Sequence, residues 1–72
     1  MNGAKTLPVN RFGLNLYRLM EKQNVTREVL ADLMGVSERT VYYWLCDQRH
    51  PGYDQLIRLS RILSVTIDGL LM

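Results

Sequence analysis

Apolar residues recur along this chain at helical spacing in five short blocks, each bounded by polar or turn-forming residues. Phe12, Leu16, Leu19 and Met20 fall at i, i+4, i+7 and i+8, one stripe of an amphipathic helix. Asn10 is its expected N-cap, and it should end near Gln23 or Asn24. Leu30, Ala31 and Met34 make a second stripe, opened by Thr26 at the N-cap position. Gly35 closes it, because glycine adopts the left-handed C-terminal conformation without steric cost. Ser37 opens a third helix, expected over 37–46, in which Val41, Trp44 and Leu45 share one face. The polar run Asp47-Gln48-Arg49-His50-Pro51-Gly52 reads as a loop closed by Pro-Gly. Asp54 should cap a fourth helix with Leu56, Ile57, Ser60 and Leu63 inward, and Thr66 a short fifth with Ile67, Leu70 and Leu71 apolar. No segment reads as a strand or as a repeat. Helices of about ten residues joined by short loops predict an all-α domain packed at steep angles rather than a parallel bundle.

The second and third blocks, Arg27 to Cys46, carry the most information. Two short helices hinged at one glycine, with Val36 filling the elbow, form a helix-turn-helix.

Size and charge narrow the setting. Seventy-two residues, 47% of them apolar, suffice for one small core. We expect an N-terminal arm over 1–9 and one domain over 10–72. With a single cysteine and a single histidine, Cys46 and His50, the chain can form no intramolecular disulfide and no thiol-based zinc site. MNGAKTLPVN lacks the apolar stretch of a signal peptide, and no run approaches the roughly 18 apolar residues of a membrane span, so a cytoplasmic location is expected. The net charge of +2 is unevenly spread: Lys5, Arg11, Arg18, Lys22 and Arg27 face only Glu21 before residue 28. That bias suits a polyanionic partner.

Val25-Thr26 leading into Leu30-Ala31, then Gly35-Val36-Ser37, Val41, Trp44, Pro51 and the closing run Leu63 to Leu71 together resemble the Cro and phage-repressor (XRE-type) helix-turn-helix family. The similarity spans roughly Phe12 to Leu71. It implies a compact five-helix, lambda-repressor-like domain that binds double-stranded DNA sequence-specifically. It further implies a symmetric dimer on a palindromic operator and a role in transcriptional regulation, as a repressor. Three departures stand out. Relatives often begin the second helix with glutamine where this chain has Arg27, and many place glycine where it has Asp47. Arginine keeps a phosphate donor, and aspartate is among the few residues that visit a left-handed cap. Where many relatives pair an arginine late in helix one with a glutamate late in the recognition helix, this chain has Met20 and Leu45. We expect these two to pack together, since an apolar pair can replace a buried ion pair without net cost.

The third helix fits a major groove about 12 Å wide, where base edges present distinguishable donors, acceptors and methyl groups. With Val41, Trp44 and Leu45 inward, Ser37, Glu38, Arg39, Tyr42 and Tyr43 face outward as base-reading candidates. The resemblance selects Glu38, Arg39 and Tyr43 among them. Arg39 can donate twice to guanine, Glu38 can accept from cytosine or hold Arg39, and Tyr43 can meet a thymine methyl or a phosphate. Phosphate contacts are expected from Thr26 and Arg27, where free N–H groups and the positive dipole end of a helix suit an anion. The resemblance adds Gln48, Arg49 and His50 in the following loop, with Arg11 and Lys5 more distant.

Plainer roles compete at other positions. Arg18, Arg58 and Arg61 read as solvated surface, Trp44 as core, and Cys46 as a small packing residue. There is no nucleophile paired with a base, no phosphate-cradling glycine loop and no metal-ligand spacing, so no catalytic residue, cofactor or metal is expected. Two apolar surplus surfaces remain. Val29 and Leu33, one turn apart opposite the core face of helix two, suit a protein partner, and a helix-turn-helix kept as an interaction module is the alternative function. Leu7 and Val9 are further candidates to cover them. Ile67, Leu70, Leu71 and Met72 suit a homodimer.

Overall fold

The computed structural model describes residues 11–71, which form five helices: α1 (Phe12–Gln23), α2 (Arg27–Met34), α3 (Glu38–Leu45), α4 (Tyr53–Ile62) and α5 (Ile67–Leu71). Asn10, the arm 1–9 and Met72 lie outside the described residues. The helix α3 packs on α1 and α2, α4 packs on α2, and α5 closes the molecule against α1 and α4. Phe12, Leu16 and Met20 from α1, Leu30, Ala31 and Met34 from α2, Val41 and Trp44 from α3, and Leu59, Leu63 and Leu70 behind them make one continuous core. The expected stripes are those buried in the first three helices, save that Leu19 and Leu45 are half-buried against the core.

Each of the first four helices ends in the same way. The residues Asn24, Gly35, Asp47 and Ser64 take left-handed φ values of 58, 71, 57 and 55°. At each end the left-handed residue's N–H reaches back three residues, and the N–H of the residue after it reaches back five: Val25 to Met20, Val36 to Ala31, Gln48 to Tyr43, Val65 to Ser60. This is the Schellman closure, which satisfies carbonyls the helix would leave orphaned. Val25, Val36 and Val65 then turn half-buried against the core, so three of the four elbows are sealed by a valine.

Helix starts follow the sequence at three positions. Thr26 Oγ1 accepts from Val29 N–H at 3.1 Å, Ser37 Oγ from Thr40 N–H at 3.1 Å, and Thr66 Oγ1 from Gly69 N–H at 2.9 Å. Two starts differ. The N-cap of α1 is Arg11, whose side chain makes no capping bond. The helix α4 begins at Tyr53 with Gly52 as N-cap, two residues before the expected Asp54. Gln55 Oε1 accepts from Gly52 N–H at 2.9 Å and closes the start from within. Asp54 lies inside the first turn instead, where its charge suits the helix dipole.

The fourth stripe is also shifted. Leu59, fully buried, is the central inward residue of α4, while Ile57 and Ser60 are half-buried on its flanks and Ser60 Oγ donates back to Ile57 O at 2.7 Å. The dimer expectation needs a correction. Leu70 is 0% exposed, and its carbonyl accepts from Asn15 Nδ2 at 3.0 Å. A residue consumed by its own core cannot serve a partner, so only Ile67, half-buried, and Leu71, exposed, remain of the described candidates. No helix among the described residues is long and apolar enough to cross a membrane.

Candidate nucleic-acid interface

The start of α2 and the outer face of α3 meet in an open concavity of about 330 Å³ lined by Arg27, Glu38, Arg39, Tyr42 and Tyr43. Local folding puts them there. The Thr26 cap makes Arg27 the first helical residue of α2, and the Ser37 cap, with the Thr40 hydroxyl 3.0 Å from its own, places Glu38 and Arg39 in the first turn of α3. Val41 and Trp44 are buried, so the helix has no rotational freedom about its axis. Ser37, Glu38, Arg39 and Tyr42 are consequently exposed and Tyr43 half-buried.

Two stacked cations bracket the recognition face. The Arg27 guanidinium lies 5.7 Å from the Tyr42 ring centroid and that of Arg49 lies 4.8 Å from the Tyr43 ring, both within cation–π range. The two rings are 6.2 Å apart and inclined by 55°. Arg27, Tyr42, Tyr43 and Arg49 thus form one row from the start of α2 to the loop beyond α3. A hydrogen bond to the Cys46 thiol, and then the negative charge that thiol can carry, push the Tyr42 hydroxyl above the usual phenol range. Cys46 itself is exposed at the C-cap rather than packed as expected, because α3 ends there.

Gln48, Arg49 and His50 are exposed in the following loop, brought to the same end of α3. Gln48 and Arg49 both donate their backbone N–H groups to Tyr43 O, at 2.9 and 3.3 Å, and His50 Nε2 stands 3.5 Å from Asp47 Oδ1. Arg11, at the start of α1, is exposed; Lys5 lies outside the described residues. Glu38 does not hold Arg39: among the described residues no ion pair joins the two. Consecutive side chains on a helix point in different directions, which explains the separation. No cluster of metal-binding type occurs among the described residues.

Met20 and Leu45 line one side of an apolar cavity of about 420 Å³ between α1 and α3, together with Val25, Tyr17 and Tyr42. Met20 is buried in the core and Leu45 packs half-buried against it. At its mouth Tyr17 Oη donates to Glu21 Oε2 at 3.2 Å, a bond that raises the tyrosine above its ordinary value. Val29 and Leu33 are 46% and 51% exposed, as their position opposite the core face predicts.

Besides the Asn15 bond to the Leu70 carbonyl, three contacts escape a reading of the sequence. Asp47 Oδ1 accepts from Gly13 N–H at 3.0 Å, Arg58 Nη2 donates to Leu33 O at 3.3 Å, and Gln23 Nε2 donates to Leu63 O at 2.7 Å. Arg58 is thus not merely solvated surface; it satisfies a carbonyl in the last turn of α2. Only the first contact has a trace in the sequence, a glycine placed within an otherwise regular helical stripe.

Comparison with known proteins agrees with this geometry. A family model described as "Helix-turn-helix" matches residues 16–70. The chain is 32% identical over 60 residues to the HTH-type transcriptional regulator YqaE of Bacillus subtilis, covering 83% of this chain and 52% of that protein. It is 35% identical over 60 residues to the HTH-type transcriptional activator BcrR of Enterococcus faecalis, covering 83% of this chain and 29% of that protein. The chain therefore spans about half or less of the curated relatives it matches. Among solved structures, a transcriptional regulator from Listeria innocua superposes with a TM-score of 0.83 at 31% identity, over 89% of this chain and 60% of that one. The restriction-modification controller protein C.AhdI from Aeromonas hydrophila shares the fold, with a TM-score of 0.78 at 24% identity over 85% of this chain and 92% of that one.

Proposed function

The chain belongs to the helix-turn-helix family, and on that premise we propose that it binds double-stranded DNA sequence-specifically and regulates transcription, with α3 in the major groove. The observation that carries this reading is the single concavity in which Arg27, Glu38, Arg39, Tyr42 and Tyr43 converge. Arg39 projects from the first turn of α3, where a recognition helix meets base edges, and it reads a guanine through its paired donors. Ser37, Glu38, Tyr42 and Tyr43 complete the reading face. Thr26 and Arg27 at the start of α2, and Gln48, Arg49 and His50 beyond α3, hold the phosphates on either side and set the register. The site calls for no metal or cofactor, and its place of action is the cytoplasm. Repression is the mode we assign. A palindromic operator requires a two-fold partner, and Ile67 and Leu71 are the surface we assign to it.

Two variants test the division of labour. Arg39→Ala should relax preference at one base pair by about 1–3 kcal/mol, whereas Arg27→Ala should weaken binding to every sequence and lower the salt slope by about one. Equal losses on all duplexes from Arg39→Ala would remove it from the reading set. The exposed Val29 and Leu33 favour a second reading, a protein-interaction module. Salt separates the two: DNA affinity should fall steeply between about 50 and 200 mM, and an apolar protein contact should not.

A further inference from the structure

We propose that Asp47 is the positioning residue of the DNA interface: its carboxylate ties the first turn of α1 to the loop that carries Gln48, Arg49 and His50. This inference rests on the DNA-binding reading above. Three observations carry it. First, Arg11, the N-cap residue of α1, makes no side-chain capping bond, and the N–H of Gly13, 34 positions away in sequence, is taken by Asp47 Oδ1 at 3.0 Å. Second, the two segments meet backbone to side chain with no room to spare. A Cβ on Gly13 would lie 2.7 Å from Asp47 Oδ2 and closer still to the Leu45 carbonyl oxygen. Third, Asp47 occupies a left-handed conformation, φ 57°, where glycine would be less strained.

A carboxylate at the edge of a DNA-facing surface also repels phosphate. Both its backbone strain and its charge therefore oppose its presence, and the bond to Gly13 is what it supplies in return. That bond anchors the residue from which the phosphate loop departs, while the same oxygen stands 3.5 Å from His50 Nε2. With the anchor in place, Arg49 leaves the loop at a fixed point and stacks on Tyr43. Without it, only a fraction of molecules present the loop in binding geometry, and apparent affinity falls by that fraction.

Charge and anchoring predict opposite signs, which makes the test decisive. Asp47→Asn removes the charge but keeps an oxygen acceptor and tolerates the left-handed backbone; Asp47→Gly removes the charge and the acceptor together and relieves the backbone. The full chain and both variants are titrated against a duplex selected from a random library, over a range of salt and at a temperature where circular dichroism shows each fully folded. We expect Asp47→Asn to bind at least as tightly as the unaltered chain. Asp47→Gly should bind about three- to tenfold more weakly than Asp47→Asn, the loss expected when one capping bond no longer holds the loop. Its salt slope should also be lower by about one, with base preference unchanged. Equal affinity and slope for the two variants would overturn the proposal and leave the DNA reading standing. If the unaltered chain binds no duplex at low salt, that reading falls. The thermal midpoints then still test the tie, and equal midpoints for the two variants would overturn it.

Discussion

At the scale of single residues, polar side chains at helix ends do most of the work of placing the interface. Thr26 and Ser37 each satisfy one N–H that α2 or α3 would leave unpaired, and each thereby sets which residue comes first in the helix. Replacing either by alanine should lower stability by about 0.5–2 kcal/mol, read from urea unfolding monitored by circular dichroism. Ser37→Ala should also blur base preference, because the first turn of α3 carries Glu38 and Arg39. A loss of stability with an unchanged consensus sequence would separate capping from reading.

At the scale of elements, one close approach governs how α1 meets α3. Gly13 lies on the buried face of α1, and any side chain there would enter the space of the Leu45 carbonyl and the Asp47 carboxylate. Helix propensity alone favours alanine over glycine by about 1 kcal/mol. Here sterics win, since the opposing atoms include backbone that cannot rotate away. Gly13→Ala should destabilise by about 1–3 kcal/mol, the usual cost of overpacking, seen as a lower denaturation midpoint at unchanged m-value. A rise in midpoint would show that the two segments part easily. On the other flank of the same pair, Met20 and Leu45 line an apolar wall, so these two positions bring no charge between α1 and α3 that would need a partner.

At the scale of the whole molecule, partnership turns on which C-terminal residues the core has already consumed. Leu70→Ala should destabilise by about 2–5 kcal/mol, because it empties a fully enclosed site. Leu71→Glu, on an exposed side chain, should leave the monomer's stability within about 0.5 kcal/mol and weaken self-association and operator binding together. Sedimentation with and without a palindromic duplex distinguishes the two. Unchanged association in Leu71→Glu would move the two-fold contact away from α5.

Much of this protein follows from its sequence because the governing interactions are local. Helical periodicity, the caps at Thr26, Ser37 and Thr66, and the left-handed turn at Gly35 each depend on residues within five positions of one another. Those rules suffice for five helices and for the outward face of α3. The family resemblance supplied the roles of the loop residues. Errors appear where distant segments compete. Leu59 displaced Ile57 and Ser60 as the inward residue of α4, and Leu70 was drawn into the core rather than left for a partner; the α4 cap, by contrast, passed from Asp54 to Gly52 through the neighbouring Gln55 side chain. Asp47 shows the division most clearly. Its tolerance of a left-handed turn is a property of the residue and legible from sequence, but its bond to Gly13 exists only because α1 and α3 pack against each other. A glycine within the α1 stripe is all the sequence shows of this hydrogen bond across 34 positions; tertiary packing supplies its partner.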